Sequence, residues 1–166
     1  MQGMGARWSH VQNVGAAAEA LVVHGVDPVV AVAAWLHDIG YSARVRVTGF
    51  HPLDGAKFLA LRDAPSEVVS LVAYHTGAEY EAAQRGFASE LATIARPSQD
   101  NLDALTFVDL TVGPTGERVT VDQRISEILE RYPESDPVHL AVQASSGYLR
   151  ECATRAELRW AGIAGR

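Results

Sequence analysis

The stretch from Asp27 to Gly40 constrains the fold of this chain more than any other. It opens with Asp27-Pro28, and an aspartate N-cap followed by proline in the first helical position is typical of a helix start. The residues from Val29 to Leu36 are apolar on every side, which indicates a helix enclosed by others. Their β-branched members also permit a strand, but the caps and the length favour a helix. We therefore predict a central helix that ends at Gly40 and carries His37 and Asp38 in its last turn.

Cap signals and helical spacing recur along the rest of the chain, while strand signals are nearly absent. Thr120 and Gln123 form a capping box, and Asp136-Pro137 repeats the start seen at Asp27-Pro28. The predicted helices cover 8–23, 28–40, 52–61, 65–75, 78–85, 98–112, 120–132 and 136–161, after a frayed start over 1–8. We therefore expect an all-α, single-domain helical bundle of about six to eight helices, in which 136–161 packs on a core of 8–132.

Length and charge narrow the classes of function. A chain of 166 residues fits one domain with a buried core. Its formal charge of −6 does not favour the phosphates of a nucleic-acid polymer. Its longest apolar run, Val29 to Leu36, is far too short to cross a membrane, and no leader-like segment opens the chain. We expect a cytoplasmic protein, with a homodimer as one way to bury the long last helix.

Four of the six histidines lie at or beside predicted helix ends, next to apolar runs: His10, His37, His51 and His75. A single histidine is more often a hydrogen-bonded surface or core residue, and we assign no role to His24 or His139. Four in this pattern indicate metal ligands, because neutral imidazole is the commonest protein ligand for metals. A metal ion would also supply the positive centre that a small anionic substrate needs in an acidic protein.

His37 and Asp38 are adjacent, so their side chains project about 100° apart on a helix. Both can reach one ion only near the helix end, where unpaired carbonyls favour a cation. His10 and Asp109, from two other helices, would complete this first site. The sequence thus predicts one ion bound by nitrogen and oxygen ligands from three helices.

His51 and His75 are not needed for a single ion. A second ion would use them, with the carboxylate of Asp38 between the two metals. Carboxylate and imidazole ligands without a thiolate suit Fe, Mn, Co, Ni or Zn, and the residues do not choose among these. We therefore predict two divalent transition-metal ions.

The order of these residues resembles the HD-domain superfamily of metal-dependent phosphohydrolases, whose pattern is His, then His-Asp, then a distant Asp. Here the pattern falls on His10, His37-Asp38 and Asp109, and His37-Asp38-Ile39-Gly40 has the common HDIG form of the central motif. The resemblance implies that these four ligands hold one metal. It also implies hydrolysis of a small phosphate ester or nucleotide by a metal-activated hydroxide, with Asp38 as the catalytic residue at its centre.

Two further segments resemble the two-metal branch of this superfamily. Phe50-His51-Pro52-Leu53-Asp54-Gly55 is similar to its His-Pro-x-x-Gly segment, and Tyr74-His75-Thr76-Gly77 to the His-Thr segment of bacterial hydrolases of diadenosine polyphosphates. The resemblance implies that Asp38, His51 and His75 hold the second metal.

Other branches fit less well. The Glu-Asp pair of the guanosine-polyphosphate hydrolases is replaced by Ile39-Gly40-Tyr41, and the Gly-Tyr-Pro loop and double His-Glu of cyclic-di-GMP phosphodiesterases are missing. Dinucleoside polyphosphates stay open as substrates. The same ligand order occurs in mixed-valent di-iron oxygenases acting on inositol or phosphonates. An oxygenase is therefore the first alternative, and a non-catalytic metal- or ligand-binding module is the second.

Substrate phosphate would also need side-chain donors, and arginine forks suit phosphate. Arg44 and Arg46 lie in the loop between His37-Asp38 and His51. Arg118 follows Asp109 by nine residues, an offset that resembles an arginine in related families. We name the three arginines as candidate substrate ligands, with solvated surface positions as the equal alternative.

Overall fold

The computed structural model describes residues 4–160. Residues 1–3 and 161–166 lie outside this range, and with them the last residue of the final predicted helix, residue 161. Within residues 4–160 the regular structure is helical, apart from an isolated antiparallel bridge between Val112 and Arg118. The helices are α1 Met4–Val22, α2 Pro28–Leu36, α3 His51–Ala60, α4 Ser66–Tyr74, α5 Ala78–Arg85, α6 Ala88–Leu91, α7 Gln99–Leu110, α8 Val121–Arg131 and α9 Pro137–Trp160, with 3-10 turns at Ile39–Tyr41 and His75–Gly77. The predicted all-α fold is confirmed.

The predicted caps form at the helix starts. The Asp27 carboxylate accepts a hydrogen bond from the Val29 amide at 2.9 Å, and the Asp136 carboxylate accepts one from the Val138 amide at 2.8 Å. The capping box before α8 is also present, with its reciprocal bonds at 2.9 and 3.1 Å. Each cap satisfies amide groups that have no partner inside the helix, and so fixes where that helix begins.

Three expectations about the helices are wrong. Helix α1 starts at Met4 instead of residue 8, and α2 ends at Leu36, before the short turn that contains Gly40. Helix α2 is also not enclosed, since Val32 is 47% and Trp35 36% exposed. Tryptophan is compatible with a partly exposed position because its indole N–H can donate a hydrogen bond at the surface. Here the N–H donates to Glu19 at 2.8 Å while the ring covers Gly15 of α1.

The main core lies where α1, α2, α4 and α7 meet, with α3 packed on α4 and α9 packed on α5, α7 and α8. Its fully buried side chains are aliphatic or aromatic and include Val14, Val30, Phe50, Leu53, Leu71 and Leu105. None of the helices between Met4 and Trp160 has both the length and the apolar character that a membrane crossing requires. The packing brings the ends of α2, α3, α4 and α7 to one side of α1, where the predicted metal ligands lie.

The loop before α3 is fixed by one buried carboxylate. Asp54 is 2% exposed and accepts hydrogen bonds from the amides of Val47, Thr48 and Gly49 at 2.9–3.1 Å and from the Thr48 hydroxyl at 2.8 Å. These bonds satisfy three loop amides and the buried carboxylate that accepts them. The loop leads directly into His51, so Asp54 sets where α3 begins.

We expect Asp54→Ala to lower the free energy of unfolding by about 3 kcal/mol, because it leaves several loop amides without acceptors. Urea unfolding of the metal-free protein measures this loss. Lys57→Ala is the control on the same helix: Lys57 pairs with Glu90 at the surface, and such a pair contributes less than about 1 kcal/mol. Equal stability of the two variants would contradict the role given to Asp54.

Candidate metal centre

Six side chains converge in two adjacent groups at the ends of the core helices. The first group contains His10 of α1, His37 after α2 and Asp109 of α7. The second contains Asp38, next to His37, with His51 at the start of α3 and His75 after α4. Within each group, one ligand atom per residue lies within 4.8 Å of the others. The residues singled out from the sequence as metal ligands are therefore neighbours in space.

Three of the histidines are oriented by bonds to backbone carbonyls. A carbonyl oxygen only accepts, so the Nδ1 atom that faces it must donate. Nδ1 of His10 donates to Gly113 at 3.0 Å, that of His37 to Ala34 at 2.7 Å, and that of His75 to Val72 at 2.7 Å. In a neutral ring of His37 or His75 the proton then sits on Nδ1 and the lone pair on Nε2 points into the site. Nε2 of His10 instead donates to Asp109 Oδ1 at 2.9 Å, and this proton would be released when a metal ion binds. Metal-binding histidines are commonly held in this way.

His37 presents the clearest sign of a cation site. Its ring is 1% exposed, and its Nε2 atom has no hydrogen-bond partner among the described residues. The atom lies 3.7 Å from a carboxylate oxygen of Asp38 and 3.7 Å from one of Asp109. A buried lone pair without a donor is unfavourable. A metal ion between this nitrogen and the two carboxylates would satisfy it.

The second group brings its ligand atoms equally close, and in a neutral pair Nε2 of His51 donates a hydrogen bond to the Nε2 lone pair of His75. Nε2 of His51 lies 3.2 Å from Nε2 of His75 and 3.4 Å from Asp38 Oδ1. Burial lowers the pKa of His75, and lowers that of His51 well below its ordinary value, against the opposing attraction of Asp38. Both rings are therefore neutral at pH 7, which is the protonation state that binds metals.

Asp109 is held as a carboxylate at the other end of the site. Burial opposes its ionisation, but His37 and His10 outweigh this and hold its pKa well below the usual range. Burial likewise lowers the pKa of His10, but the bond to Asp109 Oδ1 at 2.9 Å raises it overall. The first group thus contains a stable negative charge, as a cation site requires.

Arg7 and Tyr41 form the rim of the site, and the sequence reasoning missed both. The Arg7 guanidinium donates to Asp38 Oδ2 at 3.0 Å and lies 3.4 Å from the centre of the Tyr41 ring. That ring stacks on His51, with centroids 4.0 Å apart. Arg7 precedes His10 by three residues, which on a helix places both on one face, so the spacing could have revealed it. Arg7 leaves the other oxygen of Asp38 facing the histidines.

Thr76 adopts a backbone conformation that is rare for its residue type. Its φ is 49° and its ψ 42°, in the left-handed region that β-branched side chains disfavour. In this conformation its hydroxyl donates a short hydrogen bond to Asp109 Oδ2, which leaves Oδ1 directed at His10 and His37. Strain of this kind costs about 1–3 kcal/mol and persists where the surroundings impose it.

We expect Thr76→Gly to weaken metal affinity about 10- to 100-fold, the range for loss of a bond that orients a ligand. The melting temperature of the metal-free protein should change little, because glycine removes the strain together with the hydroxyl. Thr76→Ser keeps the hydroxyl and should keep the affinity. Calorimetric metal titration and thermal unfolding measure the two quantities; a loss of stability without a loss of affinity would contradict this role.

A cavity opens from the metal centre toward α8 and α9, and its arginines are not the ones named from the sequence. Arg7, Arg124 and Arg131 line it. Arg44 and Arg46 lie exposed on the loop that Asp54 fixes and do not line it. Arg118 lies exposed at a separate pocket between α7, α8 and α9. The position of Arg44 and Arg46 in a loop between two candidate ligands therefore did not predict whether their side chains point into the cavity.

A family model described as HD domain matches residues 7–132. Searches of the curated proteins and of the solved structures find no match. The matched range contains all six residues of the two groups, and it covers most of the chain. On this match, and with the all-helical fold that carries the His-Asp pair, the chain belongs to the HD-domain family of metal-dependent phosphohydrolases.

Proposed function

We propose that this protein is a hydrolase that binds two divalent transition-metal ions and cleaves a small phosphate ester. The observation that carries the proposal is the buried Nε2 atom of His37, which has no hydrogen-bond partner within residues 4–160 and lies 3.7 Å from carboxylates of both groups. Family membership supports metal-dependent hydrolysis. The number of ions and the type of substrate are the proposed part.

His10, His37 and Asp109 would hold one ion together with Asp38, while Asp38, His51 and His75 would hold the other. The grouping of the ligand atoms supports this division. Asp38 is the only carboxylate of the second group, and its Oδ1 also lies near His37 of the first. It is therefore the residue best situated to bridge two ions.

Two such ions, when bound, polarise the phosphoryl group and lower the pKa of water enough for it to act as a nucleophile at neutral pH. The chain's own residues fix the geometry in which this happens. Arg7 holds Asp38, Thr76 holds Asp109, and three backbone carbonyls hold His10, His37 and His75. Side chains fixed in this way need not reorganise during the reaction, and this is a major source of catalytic power.

The proposal is tested with protein purified without added metal. Mass spectrometry of the desalted protein should find two equivalents of metal, and chelation should lower the melting temperature. A ligand present at 1,000 times its dissociation constant stabilises the fold by about 4 kcal/mol. Reloading with Mn²⁺, Co²⁺, Ni²⁺, Zn²⁺ or Fe²⁺ should restore phosphate release from a panel of monoesters and diesters, at equal rates with and without oxygen.

Two other outcomes would overturn the proposal. Oxygen uptake by the iron-loaded protein without phosphate release would indicate the di-iron oxygenase chemistry found with the same ligand order. Full metal occupancy without turnover of any ester would indicate a non-catalytic metal-binding module.

A further inference from the structure

The cavity beside the metal centre has a wall that the family match does not include. Helix α9 begins at Pro137, beyond the matched range of 7–132. It contributes Val138, Ala141, Val142 and Ser145 to the lining, opposite the histidines. This wall is therefore a feature that the family pattern does not specify, and it can determine which substrate fits.

Apart from Ser145 the wall is apolar, and the space in front of it is small. Ile128 of α8 adds a further aliphatic side chain beside Val138 and Val142. The cavity offers about 120 Å³, well below the roughly 300–1,000 Å³ of pockets that enclose drug-sized ligands. An organic group bound here would bury only a few carbon atoms against this aliphatic surface.

The charged groups around the cavity are already paired. Arg124 and Arg131 both bond to Glu127, at 2.6 Å each, and Arg7 bonds to Asp38. Among the lining residues that the structure describes, no arginine or lysine is left without a carboxylate partner. Arg124 and Arg131 share the single carboxylate of Glu127, so one of their two positive charges is unbalanced, and the metal ions would have to neutralise the rest of the charge of a bound substrate.

Glu81 adds an acidic side chain to the cavity lining. Its carboxylate pairs with Arg85 at 2.6 Å, so its repulsion of a phosphate chain extending from the metals is weakened. The small volume in front of the wall, more than the charge of the lining, therefore disfavours di- and polyphosphates.

We propose that the substrate is a monophosphate ester with a small, uncharged, apolar organic group, which α9 recognises. This inference rests on the proposed function and narrows it: dinucleoside polyphosphates, which the sequence left open, do not fit. Hydrolysis joins the oxygen of water to phosphorus and breaks the ester P–O bond. The products are inorganic phosphate and an alcohol, whose oxygen takes up a proton. The phosphate lies at the metals and the alcohol portion against Val138 and Val142.

Binding of non-hydrolysable alkylphosphonates tests the wall apart from catalysis. Calorimetry on Mn²⁺-loaded protein should show butylphosphonate binding more tightly than methylphosphonate, by about fourfold for each methylene that the wall buries. Val142→Thr places a hydroxyl in the wall at nearly constant volume and should reduce this preference at least threefold, with methylphosphonate unaffected. Val138→Thr is a second variant in case Val142→Thr does not fold. Val23→Thr, at a position 82% exposed on the surface, is the matched control.

Phosphate release completes the test. Butyl phosphate should have a higher kcat/KM than ATP or diadenosine tetraphosphate, by about 100-fold or more. Faster hydrolysis of the polyphosphates, or equal binding of the two phosphonates, would overturn the substrate class and leave the proposed function standing. Binding of phosphonates without phosphate release from any ester would overturn the proposed function and the substrate class with it.

Discussion

Asp38→Asn is expected to remove at least one bound metal ion and to lower phosphate release by more than about 100-fold. Loss of a residue that only orients a metal ligand lowers metal affinity or activity by about 10- to 100-fold, and loss of a ligand itself should cost more. Asp38 Oδ1 lies 3.7 Å from Nε2 of His37 and 3.4 Å from that of His51, so it faces both groups. Asparagine has nearly the same size but no charge. Metal analysis after desalting and a phosphate-release assay on the same sample measure the two effects together.

The control for this variant is Asp100→Asn, which removes one negative charge at the surface, where Asp100 pairs with Arg159. It should retain both metal ions and full activity. Arg7 keeps an oxygen acceptor in Asp38→Asn, so the stability of the metal-free protein should change far less than the metal content. An Asp38→Asn protein with two metals and wild-type turnover would contradict the whole assignment of the site.

The sequence was sufficient to predict that the two groups of candidate ligands lie together because His37, His51 and His75 each adjoin a helix end that is visible in the pattern. His37 follows an apolar run, His51 precedes a proline, and His75 lies two residues before a glycine. Helix ends mark where side chains can leave a core and meet those of neighbouring helices. Once the bundle is formed, ends on one side of it are neighbours, whatever their separation in sequence.

The same reasoning does not predict which arginines line the cavity. Arg44 and Arg46 were chosen because their loop lies between ligands, but the bonds to Asp54 fix that loop in a conformation that leaves them in solvent. Arg124 and Arg131 reach the cavity because α8 packs on α9. That contact joins distant segments, and local patterns do not encode its geometry.

The conformation of Thr76 could not be predicted for a different reason. The neighbouring Gly77 has a φ of 73°, as glycine at a helix junction often does. A threonine in the same region is unfavourable on local grounds, and only its bond to Asp109 accounts for it. Local preference thus fails at the residue that bonds to Asp109 of the candidate metal centre, where function can outweigh it.

Gly40 of the central motif has a structural role that differs from the expected one. The helix ends at Leu36, so the glycine does not terminate it, and Gly40 is not among the glycines with positive φ. Because Gly40 has no side chain, the backbone of His51 can approach it closely. A Cβ atom at this position would lie 2.0 Å from the carbonyl oxygen of His51 and 2.8 Å from its Cα. The turn after α2 therefore packs directly on the start of α3, and this contact brings Asp38 beside His51.

Gly40→Ala is expected to lower the free energy of unfolding by about 3 kcal/mol, because the added methyl meets backbone that cannot rotate away. The melting temperature of the metal-free protein should fall by about 6–12 °C. The start of α3 must move, so the ion held by His51 should be lost before the ion held by His10 and Asp109. Gly147→Ala is the matched control: this exposed glycine in α9 has open space at its Cβ position, and alanine there should raise stability by about 0.5–1 kcal/mol. Opposite changes in the free energy of unfolding of the two variants would show that close packing on His51, and not a general need for glycine, determines the residue at position 40. A Gly40→Ala protein with an unchanged melting temperature and both metals would refute this account.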